Sequence, residues 1–141
     1  MSNAVLNGVQ KLLADQRIRY MIVGGINTVL GLGSFTLIQL AIGRDLGRAG
    51  YLFSLIASYA IAIPFAFLLH RKYVFQVRGK FWLDFGRFVT TNLIGIGLNV
   101  AVLALLVEVA RIDPIIAQPI TTVAIVIATY FLHKYFSFRR R

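Results

Sequence analysis

The stretch YMIVGGINTVLGLGSFTLIQLAIG (Tyr20–Gly43) runs for 24 residues without an Asp, Glu, Lys or Arg. A helix rises about 1.5 Å per residue, so roughly 20 residues cross the roughly 30 Å hydrocarbon core of a bilayer. One charge at the centre of such a helix costs about 2.5–3.5 kcal/mol on the insertion scale, so a charge-free run of this length reads as a membrane span. Three further stretches qualify, Ala49–His70, Phe88–Val107 and Pro114–His133. The spans expected at about 20–43, 49–70, 88–107 and 114–133 make residues 20–141 a single four-helix transmembrane domain, and the fold class all-α integral membrane.

Composition agrees. The 141 residues are 58% hydrophobic and 14% charged, with a mean hydropathy of +0.76, against roughly 45–50% apolar and about 25% charged in a soluble domain. Four buried soluble helices would need a polar shell that this chain does not supply. The net charge of +10 would suggest nucleic acid in a polar chain; here it points the basic groups at membrane phosphates. Without cysteine there is no disulfide framework, thiolate metal site or cysteine nucleophile. The first apolar run is longer than the roughly 7–15 apolar residues of a signal peptide, so no cleaved leader is expected.

The connections sort by charge. Lys11, Arg17 and Arg19 precede the first span, Arg71, Lys72, Arg78, Lys80 and Arg87 fill the middle loop, and Lys134, Arg139, Arg140 and Arg141 form the tail. Only Arg44, Arg48 and Arg111 lie in the other two loops. The excess of basic residues on the cytoplasmic side of membrane proteins places both termini and the middle loop in the cytoplasm, and the chain in the cytoplasmic (inner) membrane. Residues 1–19 carry Val5, Leu6, Val9, Leu12 and Leu13 at helical spacing among polar residues, as in a short cytoplasmic amphipathic helix lying at the interface. Phe81, Trp82 and Phe85 in the middle loop read as interfacial anchors.

An internal repeat is visible. Phe67-Leu68-Leu69-His70-Arg71-Lys72-Tyr73-Val74-Phe75 and Tyr130-Phe131-Leu132-His133-Lys134-Tyr135-Phe136-Ser137-Phe138 close the second and fourth spans alike, and Arg19-Tyr20 and Arg87-Phe88 open the first and third. Two parallel-related helical hairpins follow, an arrangement by which transporters place a site between halves.

Polar groups inside spans need partners or a wet cavity. Asn27 and Thr28 fall near mid-bilayer. Asn92 and Asn99, seven apart, share one face of the third span with Gly95 between them. These four residues are candidates for a polar path, or for hydrogen bonds between helices. Ser54, Ser58, Ala62 and Ala66 at four-residue spacing, with Gly24 and Gly95, suggest close helix packing, either within a hairpin or in a homodimer. Pro64 is expected to kink the second span. Arg19, His70, Arg71, Lys72, Arg87, His133 and Lys134 gather at the cytoplasmic helix ends, where Arg can grip a lipid phosphate bidentately and Lys can meet it as a point charge. The two histidines lack partners with metal-ligand spacing. No carboxylate lies at mid-depth, which removes the exchanging group of a small proton-coupled drug exporter. No nucleotide loop or catalytic dyad appears either, so neither an enzyme nor a cofactor is expected.

Arg19-Tyr20-Met21-Ile22-Val23-Gly24-Gly25-Ile26-Asn27-Thr28 and Ala66-Phe67-Leu68-Leu69-His70-Arg71-Lys72-Tyr73-Val74-Phe75, together with Arg87-Phe88 and Phe138-Arg139, resemble the GtrA-like family of small four-helix membrane proteins. Members often carry Asn where this chain has His70, and a tryptophan-like aromatic where it has Tyr73. The resemblance implies a role in cell-surface polysaccharide synthesis by translocation of a polyprenyl phosphate (undecaprenyl phosphate in bacteria) or polyprenyl-phosphate-linked sugar across the membrane. A lipid-linked sugar needs cations for its phosphate and hydrogen bonds for its sugar, which the basic helix ends and the internal amides would supply. The alternative is a non-transporting adaptor that anchors a polyprenyl-phosphate glycosyltransferase.

Overall fold

A computed structural model describes residues 3–76 and 78–132, which form helices and short connections with no strand among them. Helix α1 (Asn3–Ala14) stops at Asp15, whose backbone is extended and whose side chain accepts the Arg17 N–H at 2.8 Å. Asp15 thus caps α2 (Gln16–Ile38), which continues through a π turn at Gln39–Gly43. A 3₁₀ turn at Gly47–Ala49 leads into α3 (Gly50–Leu69), extended by a π turn at His70–Phe75; α4 (Phe81–Ala104) is extended in the same way at Leu105–Val109. Pro114, with no N–H to satisfy, opens α5 (Pro114–Leu132), and Asp113 accepts the Ile115 N–H at 2.9 Å.

With their extensions, Gln16–Gly43, Gly47–Phe75 and Phe81–Val109 are 28, 29 and 29 residues long and apolar enough to cross a membrane. Where the sequence leads one to expect four spans, the described residues hold three by this measure and one shorter apolar helix, Pro114–Ala128. The long helices overrun the charge-free stretches because Arg and Lys stems can lie along a helix while their heads reach water. Arg17 and Arg19 accordingly belong to α2, not to an interfacial segment ending at residue 19. The apolar residues of α1 are exposed. Phe81, Trp82 and Phe85 are also helical, not in a loop. Phe81 and Phe85 pack edge-on against buried Phe67, with ring centroids 5.2 and 5.1 Å away, while Trp82 stays 79% exposed, as an interfacial anchor would.

Each long helix packs on two neighbours: α2 on α3 and α5, and α4 on α3 and α5. The four therefore close a ring with two distinct poles. At the short-loop pole, Phe35, Tyr51, Leu55, Leu103 and Ala117 make the core. Phe35 and Leu103 are 68 residues apart, the separation of Arg19 and Arg87. Gly43 and Gly50 let α2 and α3 meet there, since a Cβ on Gly50 would strike the Gly43 carbonyl and one on Gly43 would strike Gln39 and Ser54. Gly24 and Gly95, expected to mark close packing, have open space where a Cβ would stand; each faces a gap, not a neighbouring backbone. Ser54, Ser58, Ala62 and Ala66 are all buried within the single chain, so their stripe is a seam between its own helices. The other pole is looser. Among the described side chains of α5 the buried ones lie between Ala117 and Thr121, and Val123, Val126 and Ile127 are exposed.

Candidate functional site

Between the four helices, at mid-length, lies a half-open cavity of about 230 Å³. All four expected path residues line it: Asn27 and Thr28 from α2, and Asn92 and Asn99 from α4. Gly31, Ser58, Ala62, Ala66 and Gly95 supply small walls. The helical period explains the convergence, since Asn92, Gly95 and Asn99 project from one side of α4, as do Ser58, Ala62 and Ala66 from α3. Two further polar residues, Gln118 and Thr122, come from α5. Nothing in the sequence reading had singled them out. They stand one turn apart, but the 63-residue register of the internal repeat sets Ser54 and Ser58 against their neighbours Ala117 and Thr121, so that signal does not mark them.

Hydrogen bonding separates the inert members from the unsatisfied ones. Thr28 donates to the Gly24 carbonyl at 2.9 Å, Asn92 to Phe88 at 2.7 Å, Ser58 to Leu55 at 2.7 Å and Thr122 to Gln118 at 3.0 Å. Asn27 Oδ1, Asn99 Oδ1 and Gln118 Oε1 are buried with no hydrogen-bond partner. A buried polar atom without a partner costs about 1–3 kcal/mol, so three acceptors around one cavity are a substantial uncompensated term. At roughly 30 Å³ per water the space takes several waters or one ring-sized polyol. A buried amide elsewhere does find its partner: Gln39 Oε1 accepts from Ser54 at 2.7 Å.

The basic pole divides into two grooves. Phe67, His70, Arg71, Phe75, Asp84, Arg87, Phe88 and Thr91 line one of about 280 Å³. Lys72 lies in the other, with Leu68, Arg71, Gln76, Arg78 and Phe81. The expected cations are not equivalent. Arg71, whose side chain is only 16% exposed, donates to Asp84 at 2.7 Å and to the Gly79 carbonyl at 2.6 Å, with its guanidinium over the Phe81 ring. It is held as a tie between α3 and the start of α4. Arg87 is exposed and makes no ion pair among the described residues. His70 Nδ1 donates to the Ala66 carbonyl at 2.8 Å, and its ring sits among Tyr20, Phe75 and Phe88. Arg19 is in neither groove; it donates to the Leu13 carbonyl at 3.4 Å. His133 and Lys134 lie outside the described residues.

The first groove adjoins the cavity through consecutive residues, Ala66 with Phe67 on α3 and Asn92 with Thr91 on α4. A cationic, aromatic-walled recess therefore stands next to an uncharged, hydrogen-bonding one.

Residues 19–138 match the family described as GtrA/DPMS, transmembrane domain. The chain is also 25% identical over 124 residues to the "Cell wall teichoic acid glycosylation protein GtcA" of Listeria monocytogenes, covering 85% of this chain and 82% of that one. No solved structure matches.

Proposed function

This chain belongs to the GtrA/DPMS transmembrane-domain family, and on that basis we propose that it moves a polyprenyl-phosphate-linked sugar across the membrane for glycosylation of a cell-envelope polymer. The observation that carries the reading is the central cavity with its three unpartnered amide oxygens, Asn27 Oδ1, Asn99 Oδ1 and Gln118 Oε1. A sugar leaving water loses a hydrogen bond for each hydroxyl, and acceptors already placed at mid-depth replace them. The relative named for teichoic acid glycosylation supports the envelope context. In this reading α5, about 28 Å long at helical rise, is the fourth span, the basic pole faces the cytoplasm by its charge, and the protein performs no chemistry of its own.

The phosphate belongs in the groove beside the cavity. Arg87 is its first ligand because its guanidinium is uncommitted, whereas Arg71 shapes the groove through Asp84. His70 uses Nδ1–H on Ala66, so Nε2 is an acceptor in the neutral ring and meets an anion only as the imidazolium. The apolar tail stays in lipid. The described side chains of α5 beyond Thr121 are exposed or half-buried, so a head group can enter sideways along this helix. A glycosyltransferase that makes the lipid-linked sugar and a second copy of the chain are the expected partners.

The test is reconstitution into sealed vesicles with a labelled polyprenyl-phosphate sugar in one leaflet. Label from the inner leaflet should become accessible outside with protein present and not without it. Unchanged accessibility, with glycosyltransferase activity retained at the membrane, would instead identify an adaptor.

A further inference from the structure

Three polar contacts join the hairpins at the short-loop pole. Tyr51 on α3 donates to Glu108 at 2.9 Å, Arg48 pairs with the same carboxylate at 3.5 Å, and Arg44 pairs with Asp113 at 3.8 Å. Arg44, Arg48 and Tyr51 belong to the first hairpin, Glu108 and Asp113 to the second. Below these contacts lie Phe35, Leu55, Leu103 and Ala117, all fully buried, and below those the cavity. Toward the basic pole α5 has only exposed or half-buried described side chains. The cavity is thus sealed at one pole and flanked by a loosely packed helix at the other.

From this asymmetry we infer that Glu108, with Tyr51, Arg48, Arg44 and Asp113, is a latch that holds the short-loop pole shut and must part for a group in the cavity to leave on that side. The inference rests on the translocation reading. In a bilayer the apolar layer cannot serve as the lock, because lipid tails are as apolar as Leu and leave little hydrophobic drive between helices. Parting Phe35 from Leu103 exchanges one apolar contact for another, whereas parting Tyr51 from Glu108 leaves the buried tyrosine hydroxyl without its partner. The polar contacts therefore set the balance between closed and open. Arg44 and Arg48 are largely exposed, and exposed ion pairs hold weakly, as suits contacts that break and reform in each cycle. Glu108 is the centre of the latch, since it receives both the buried tyrosine and an arginine.

The absence of cysteine makes the test clean. Leu32 lines the cavity, and Leu32→Cys would report its accessibility to a membrane-impermeant thiol reagent applied from the short-loop side of sealed vesicles. With the latch intact, labelling should be slow. Adding Glu108→Ala should raise its rate about tenfold, as expected when a minor open state gains a contact's worth of population. The swap Arg48→Glu with Glu108→Arg should return it toward the starting rate. In a second variant, Arg48→Cys and Glu108→Cys joined by a reductant-cleavable bis-maleimide should stop translocation of labelled lipid-linked sugar until reductant is added. Labelling unchanged by Glu108→Ala in folded protein, or translocation unaffected by the cross-link, would overturn the latch. Labelling that follows the latch while no variant or parent translocates would leave the latch standing and refute the transport reading.

Discussion

The two poles of the bundle are built on opposite terms. At the short-loop pole Gly43 and Gly50 bring backbones together, Gln39 and Ser54 satisfy each other, and the carboxylates of Glu108 and Asp113 face arginines. From the cavity to the basic pole, polar groups are left over: three amide oxygens without partners and an arginine without a carboxylate. Satisfied polar groups hold helices together, and unsatisfied ones wait for something else. Their distribution separates scaffold from site.

Five substitutions would break or sharpen that contrast. The largest effect is expected at the glycines. Gly50→Val drives a side chain into the Gly43 carbonyl and should destabilise the protein by about 3 kcal/mol or more in detergent unfolding, whereas Gly95→Ala, with open space around it, should be neutral or stabilising by up to about 1 kcal/mol. Equal losses at both sites would erase the difference between packed and open regions. Next is Arg71→Gln, which removes charge-assisted bonds to Asp84 and Gly79. Since Asp84 is about one-third exposed, the loss should sit near the low end for such bonds, about 1.5 kcal/mol. Arg87→Gln should leave stability unchanged and weaken binding of polyprenyl phosphate about tenfold, a phosphate contact of roughly 1.5 kcal/mol. Reversed behaviour of this pair would make Arg71 the phosphate ligand. The smallest effect belongs to Arg44→Gln, whose partners are both about half exposed, and unfolding should move by under about 0.5 kcal/mol.

What could be read from the sequence divides along the same line. The lengths and spacing of the charge-free stretches located the helices, and helical periodicity alone put Asn92 and Asn99 on one face together with Gly95. They meet Asn27 and Thr28 around one cavity. Periodicity is a property of one helix, however, and partnership is a property of two. Asp84 neutralises Arg71 because the first turns of α4 lie against the end of α3, so the basic residues and histidines grouped at the helix ends are not equivalent. Gly24 and Gly95 looked like packing residues by spacing, but whether a small residue meets a backbone or a void depends on the helix opposite. Gln118 lies in the first turns of the fourth charge-free stretch, where a polar side chain reads as part of the helix boundary. The fourth span stood on charge and apolarity alone, and α5 is the shortest of the four long helices.

The central claim is that the unpartnered amides serve a travelling sugar and not the fold. Asn99→Leu combined with Gln118→Leu separates the two most directly, because leucine keeps the helices apolar and fills similar space while removing the acceptors. Measured in sealed vesicles with labelled polyprenyl-phosphate sugar, this variant should translocate at least about tenfold more slowly than the parent, in line with losing hydrogen bonds of about 1–3 kcal/mol. Its thermal unfolding temperature should hold or rise, since buried atoms with no partner have been removed. Parent-like translocation by a stably folded variant would contradict the account.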